Sequence, residues 1–288
     1  MFVCCCRYTK LWDTETGQCI SRHSTGKVPF CVKIFPEAAG SNEVLIGQQN
    51  KLVVQLDVRS NEIVQTYNEH LGAVNSVTFL DGNRRFVSTS DDKKALVWEY
   101  GIPVVIKHIA EPDMHSMPYV AVHPSGKFFV GQSQDNQILC FTAINKYKLK
   151  RDKRFIGHLT AGYACEIGFS PDGNYIMSGD AQGRVIFWDW STGKVYKKLK
   201  CHDQVTIGCQ VAIECTRARA WAGRAGRAGR ADGRARTRTA ARVQFSFSLL
   251  FLCALTEFSM TLCQFQWNPI ETSKMATCSW DGTIKYWD

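Results

Sequence analysis

Arg184-Val185-Ile186-Phe187-Trp188-Asp189 reads as a strand that ends in Trp-Asp. The same ending returns at Lys10-Leu11-Trp12-Asp13, at Leu96-Val97-Trp98-Glu99 and at Lys285-Tyr286-Trp287-Asp288. Short apolar and β-branched runs bounded by Gly, Asn, Asp and Pro are strand signals. A phrase that closes successive strands marks one supersecondary unit repeated along the chain. The clearest unit starts at His70, continues through Val74-Asn75-Ser76-Val77-Thr78-Phe79, turns at Asp81-Gly82-Asn83, resumes at Arg85-Phe86-Val87-Ser88 and ends at Ala95-Leu96-Val97-Trp98. A second starts at Gly157-His158, turns at Ser170-Pro171-Asp172-Gly173 and ends at Trp188-Asp189, and a third runs from His202 to Trp287-Asp288.

Repeats of this form resemble the WD-repeat family, whose members fold as β-propellers. The expected fold is therefore all-β, a WD-repeat β-propeller of about five blades plus part of a sixth, truncated relative to a seven-bladed parent. In that family a His before the first strand, a Ser or Thr on the second, an Asp in the next turn and the Trp on the third form a hydrogen-bonded tetrad. The resemblance assigns these places to His70, Ser88, Asp92 and Trp98 in one blade, and to His202, Thr277, Asp281 and Trp287 in the last. His158, Ser178 and Trp188 form a set without the acid, because Gln182 stands at its position. Two further units are degenerate: Val28 to Tyr67, with Leu56-Asp57 in place of Trp-Asp, and Tyr119 to Phe141, with Phe141 in place of Trp. Ahead of them, Tyr8 to Trp12 and Gln18 to Arg22 read as the last two strands of a preceding blade, with residues 1–7 outside the pattern.

The phrase also measures. His70 and Trp98 are 28 positions apart and His158 and Trp188 are 30 apart, but His202 and Trp287 are separated by 85. The excess is an Arg/Gly/Ala-rich and then apolar stretch, residues 211–266, without the turn and strand rhythm of a blade. Its Arg-Ala-Gly repeats cannot build a core, so it is expected to be disordered. Residues 245–262 carry Ser246, Ser248, Thr256, Glu257, Ser259 and Thr261, too many polar positions for a transmembrane span. A basic arm for RNA is one reading of this stretch. Translated intron is the favoured one: Gln210-Val211 can be encoded by a splice-donor sequence, Phe245 to Leu255 by a pyrimidine tract, and Gln266 by a closing CAG. Removing these 56 residues leaves His202 and Trp287 29 positions apart, within the range of the other units. The domain reading is then residues 1–7, blades over 8–210, the insertion over 211–266, and the end of the last blade over 267–288.

Composition agrees with a folded chain: 45% of its 288 residues are hydrophobic, with 8 Trp, 9 Tyr and 16 Phe. The net charge of +9 is mostly local, since nine Arg and three acids in residues 211–266 account for +6. None of the 13 Cys has zinc-site or disulfide-framework spacing. Cys31, Cys140, Cys165 and Cys278 fall on apolar strands, as expected of reduced thiols. The opening Met1-Phe2-Val3-Cys4-Cys5-Cys6 is too short for the apolar core of a secretory signal.

Several stretches are more specific than the recurring phrase, above all Met114 to Pro118 and Ala161 to Cys165, which lie in degenerate or inter-blade positions. Leu11-Trp12-Asp13-Thr14-Glu15-Thr16-Gly17, Met114-His115-Ser116-Met117-Pro118, Ala161-Gly162-Tyr163-Ala164-Cys165, and Gly208-Cys209-Gln210 joined to Trp267-Asn268-Pro269 resemble the propeller of the pre-mRNA-processing factor 17 (cell division cycle 40) family. That resemblance implies a nuclear, non-enzymatic scaffold of the spliceosome acting around the second catalytic step, exon ligation. Its partners would be spliceosomal proteins, with snRNA or pre-mRNA as further contacts, and it implies no cofactor, membrane or small-molecule substrate. A generic WD-repeat adaptor, such as a ubiquitin-ligase substrate receptor, is the alternative. No phosphate loop or converging catalytic set stands out, and Asp91-Asp92 reads as a turn and not a metal pair. Lys146, Lys148, Lys150, Arg151, Lys153 and Arg154 form the most basic stretch of the blades. Alternation with Tyr147 and Leu149 predicts an outer strand with one charged face. Two readings of it stay open: a solvated edge, or a contact with RNA phosphate or an acidic protein.

Overall fold

A computed structural model describes residues 2–5, 7–13, 16–35, 42–144, 146–210 and 275–287. Over these residues the strands form six antiparallel sheets, each built from consecutive strands. A partial blade of β1 (Phe2–Cys5), β2 (Tyr8–Trp12) and β3 (Cys19–His23) comes first. The first blade is β4 (Pro29–Ile34), β5 (Glu43–Gln48), β6 (Val53–Asp57) and β7 (Glu62–Tyr67). The second is β8 (Val74–Leu80), β9 (Arg85–Ser90), β10 (Ala95–Glu99) and β11 (Ile102–Ile109). The third is β12 (Tyr119–Val122), β13 (Phe128–Ser133), β14 (Gln137–Thr142) and β15 (Leu149–Ile156). The fourth is β16 (Ile167–Phe169), β17 (Tyr175–Gly179), β18 (Arg184–Asp189) and β19 (Val195–Lys200). The fifth comprises β20 (Thr206–Gln210), β21 (Met275–Ser279) and β22 (Ile284–Trp287). This is the five blades plus part of a sixth that the repeats imply.

One strand was not expected. Phe2–Cys5 pairs with Tyr8–Trp12 in the register Phe2↔Leu11 to Cys5↔Tyr8, so the partial blade has three strands and not two. A bare β2 edge would leave a row of backbone N–H and C=O groups without partners, and β1 supplies them. The inserted stretch 211–266 and the following residues to 274 lie outside the described residues. Among the described residues no helix is long and apolar enough to cross a membrane.

The core lies between blades. Leu45, Val53 and Tyr67 of the first blade pack with Val74, Phe86, Leu96 and Trp98 of the second. Val130, Ile138, Cys140 and Phe155 of the third pack with Ile167, Ile176, Ile186 and Trp188 of the fourth. Middle strands are thus covered on both faces, which is why β6 and β10 read as near-continuous apolar runs instead of alternating ones. Each Å² of apolar surface removed from water in these seams stabilises the fold by roughly 25 cal/mol. Cys31 and Cys140 are buried in them and Cys165 is buried as well, and loss of solvation pushes their thiols to about 12, 11 and 12. The fourth and fifth blades meet backbone to backbone, since a Cβ on Gly179 would collide with the Thr206 carbonyl.

A β-bulge recurs where each outer strand leaves its neighbour. The register shifts at Leu11/Trp12, Gln55/Leu56, Val97/Trp98, Leu139/Phe141 and Phe187/Trp188, the position of the recurring phrase or its replacement in every blade that has a fourth strand, and in the partial blade. Bulges add local twist and bend the strand that carries them.

Candidate interaction surface

The tetrad positions are brought together in two blades. In the second, His70 Nδ1 lies 3.0 Å from Asp92 Oδ2, His70 Nε2 lies 2.7 Å from Ser88 Oγ, and Trp98 Nε1 donates to Ser88 Oγ at 2.7 Å. A carboxylate only accepts, so Nδ1 carries the imidazole proton and Nε2 accepts from the Ser88 hydroxyl. Every polar atom of this buried chain is then satisfied. Burial opposes the Asp92 charge, but bonds from His70 and from the Leu71 and Lys94 N–H groups outweigh it and hold the carboxyl below its usual range. In the fifth blade His202 Nδ1 lies 2.9 Å from Asp281 Oδ2, His202 Nε2 lies 2.8 Å from Thr277 Oγ1, and Trp287 Nε1 donates to Thr277 Oγ1 at 3.0 Å.

The fourth blade is wired differently. Gln132, from β13 of the preceding blade, donates through Nε2 to His158 Nε2 at 2.8 Å and accepts from Ser178 Oγ at 3.3 Å. Trp188 Nε1 turns to the Ile156 carbonyl at 2.8 Å. His158 Nδ1 is buried and without a partner, and loss of solvation lowers the ring's pKa to about 4. His158, Ser178 and Trp188 are therefore not three-quarters of a tetrad: the missing acid at Gln182 leaves Nδ1 bare, and on the other side of the ring an amide from the neighbouring blade stands between Nε2 and the Ser178 hydroxyl. Asp180, one of two acids whose charge acts on the ring, is fully buried and engaged by Arg184 Nη2 at 2.9 Å.

Two aromatic locks between blades escaped the sequence reading. Tyr100 stacks on Phe35 at 4.2 Å across the first and second blades, and Trp190 lies 4.5 Å from His123 across the third and fourth. Both follow the Trp-acid pair directly, a signal visible in Trp98-Glu99-Tyr100 and Trp188-Asp189-Trp190. An open depression of about 320 Å³ beside the first lock is lined by Phe35, Gly82, Asn83, Arg84, Glu99 and Tyr100. Its two charges already pair with each other, Arg84 Nη2 to Glu99 Oε1 at 3.1 Å. Asp91 is a turn residue whose Oδ1 accepts from Asn75 Nδ2 and Ser116 Oγ at 2.6 and 2.9 Å. Among the described residues no group of three His, Cys, Asp or Glu could hold a metal ion.

The basic stretch lies at the outer edge of the third blade, with a later strand start than expected. Lys146, Tyr147 and Lys148 are in the turn before β15, and Tyr147 is buried at a φ of +45°, its hydroxyl 2.8 Å from Arg85 Nη1. The burial of the Tyr147 ring breaks the alternation that the sequence suggests. Within β15 the bulge sets Lys150 and Lys153 on one side, Lys150 Nζ 4.9 Å from the Phe128 ring centroid and Lys153 Nζ 3.8 Å from that of Trp190. Arg151 pairs with Glu111 at 2.8 Å, and Arg154 reaches Gln137 at 3.5 Å. The sequence reading missed that β19, the outer strand of the fourth blade, continues this surface with Lys197, Lys198 and Lys200. Its run of four Lys in seven residues, 194–200, was the available signal.

Comparison with known proteins agrees with this architecture. The family model described as WD domain, G-beta repeat, matches residues 61–99, 149–189 and 260–288. Pre-mRNA-processing factor 17 of Homo sapiens is 46% identical over 282 residues, 98% of this chain and 39% of the relative. Over nearly its whole length the chain is similar to the pre-mRNA-processing factor 17 family, and it carries WD repeats. The Saccharomyces cerevisiae member of that family is 39% identical over 197 residues, 67% of this chain and 43% of the relative. Identity drops to 27% over 206 residues for the mouse WD repeat-containing protein 25, covering 69% of this chain and 38% of that protein. The chain thus spans about two fifths of the length of the factor 17 relatives it matches.

Proposed function

We propose that this chain acts in pre-mRNA splicing as a non-enzymatic scaffold of the spliceosome in the nucleus, working at the second catalytic step, when the exons are joined. The observation that carries this reading is the 46% identity to human pre-mRNA-processing factor 17 across nearly the whole chain, far above the 27% to another WD-repeat protein. The geometry supports the scaffold part. The buried His, Asp and Ser groups of the second and fifth blades are spent on one another, so they hold strands together and do not face a substrate. What the blades offer a partner is their exterior: loops, outer strands and the charge they carry.

The test is depletion of the protein from nuclear extract followed by an in vitro splicing assay. The expected result is accumulation of the cleaved first exon and the lariat intermediate, with ligated exons restored by adding the protein back. Unspliced precursor alone would place the action before the first step, and normal ligation would refute the proposal. A tagged chain that recovers ubiquitin-ligase subunits in place of spliceosomal proteins would instead establish a general WD-repeat adaptor.

A further inference from the structure

We propose that the outer edges of the third and fourth blades together bind single-stranded RNA, β15 and β19 supplying cations for its phosphates and Tyr196 a platform for a base. The two strands adjoin at the rim. Lys198 Nζ on β19 donates to the carbonyl of Gly157, just past β15, at 2.8 Å. A Cβ on Gly157 would come within 3.3 Å of Val195 Cγ2, and one on Gly193 within 3.6 Å of the Arg154 carbonyl. Lys150, Arg151, Arg154, Lys197, Lys198 and Lys200 are all exposed along these two edges, Lys150 and Lys198 on the faces turned to each other and Arg154, Tyr196 and Lys197 on the faces turned away, so the ligand lies over the rim itself; Asp152 is the single acid within the two strands. Such a density of like charge on adjoining edges costs folding free energy through repulsion, and a polyanion relieves it.

The aromatic content selects the polyanion. Tyr196 is the extra residue of the β18–β19 bulge, is 67% exposed, and has its ring 5.1 Å from that of Tyr175. An exposed, buttressed ring gives carboxylates alone nothing to bind, whereas an unpaired base stacks on one. Duplex RNA keeps its bases inside, which leaves the single strand as the fitting form. The outer strands of the first two blades carry no such combination, since Ile63, Val64, Ile102, Val104 and Ile106 are exposed there instead. The inference rests on the splicing reading only in that a splicing component meets RNA.

The experiment titrates the full chain into fluorescein-labelled oligouridylate and follows anisotropy at several salt concentrations. Binding should weaken with salt at a logarithmic slope of about −0.7 for each phosphate neutralised. Lys150→Glu with Arg154→Glu, and separately Lys197→Glu with Lys198→Glu, should each lower affinity at least about tenfold and flatten that slope. Tyr196→Ala should weaken binding about tenfold while leaving the slope unchanged. Circular dichroism checks that each variant is folded, and the matching Gln pairs replace any reversal that is not. Unchanged affinity in both double variants would overturn the proposal and assign the binding elsewhere, for example to the Arg-rich residues 217–242. Full affinity in Tyr196→Ala, or competition by polyglutamate as strong as by unlabelled RNA, would also overturn it. Co-precipitation with spliceosomes is scored separately: RNA binding with these properties by a chain absent from spliceosomes refutes the splicing reading and leaves this one standing.

Discussion

The second and fourth blades start from nearly the same text and arrive at different chemistry. Each has a His before its first strand, a Ser on its second and a Trp on its third. In the second, one acid closes the circuit from Asp92 through His70 and Ser88 to Trp98, all within the blade. In the fourth, Gln182 stands where the acid would be, and the imidazole is held by Gln132 from the third blade. The two networks thus differ at both ring nitrogens: in the fourth blade Nδ1 lacks its acid and Nε2 meets an amide of the neighbouring blade. The exteriors diverge as well: β11 exposes Ile102, Val104 and Ile106, and β19 exposes Lys197, Lys198 and Lys200.

Acid should separate the two blades most. The folded His158 pKa of about 4 lies below the ordinary imidazole value, so the unfolded chain binds the extra proton first as pH falls. Stability is complete above about pH 6.5 and drains away down to about pH 4, by about 3 kcal/mol. Urea denaturation at stepped pH should show this loss, and His158→Gln should remove it. The Asp92 network acts in a lower window: its depressed carboxyl stabilises above the unfolded value and gives that up only as pH drops through the folded one.

Next in size is Ser88→Ala, which strands the indole N–H of Trp98 and the Nε2 of His70 and should cost about 2 kcal/mol. Ser178→Ala breaks only bonds of 3.3 Å and should cost under about 1 kcal/mol. Equal losses in thermal denaturation would erase the distinction between the blades. Gln182→Asp sharpens it from the other side. The new carboxylate should accept from His158 Nδ1, raise the His158 pKa as seen by NMR, and add about 1 kcal/mol. The smallest effect belongs to the exterior: Val104→Lys, at a residue 61% exposed, should change stability by less than about 0.5 kcal/mol.

The legible parts of this molecule are those written in short-range spacing. Alternation and the recurring phrase give the strands, and the offsets between His70, Ser88, Asp92 and Trp98 give a network whose members lie within 28 residues. The fifth-blade network was legible too, across 85 residues, because the offsets hold at both ends of the long stretch. Gln132 was not, because its partners sit 26 and 46 residues away on another blade, and only the stagger of adjacent sheets brings them close. Tyr147 misled for a similar reason: alternation assigns it to a strand, whereas contact with Arg85 of the second blade buries it in a turn. On the outer surface, Lys146 to Arg154 stood out as a charged run, but its continuity with β19 depends on where Gly157 and Val195 meet.

The bulge that recurs beside each outer strand has a consequence for how the perimeter can be used. A bent, over-twisted edge is a poor template for adding a strand from another chain. Ligands of the circumference must then be chosen by side chains alone, and substitutions on one outer strand leave the pairing of the others untouched. Neighbouring blades are free to specialise: an oily edge on β11 and a cationic one on β19 coexist on one frame, each open to revision without refolding the rest.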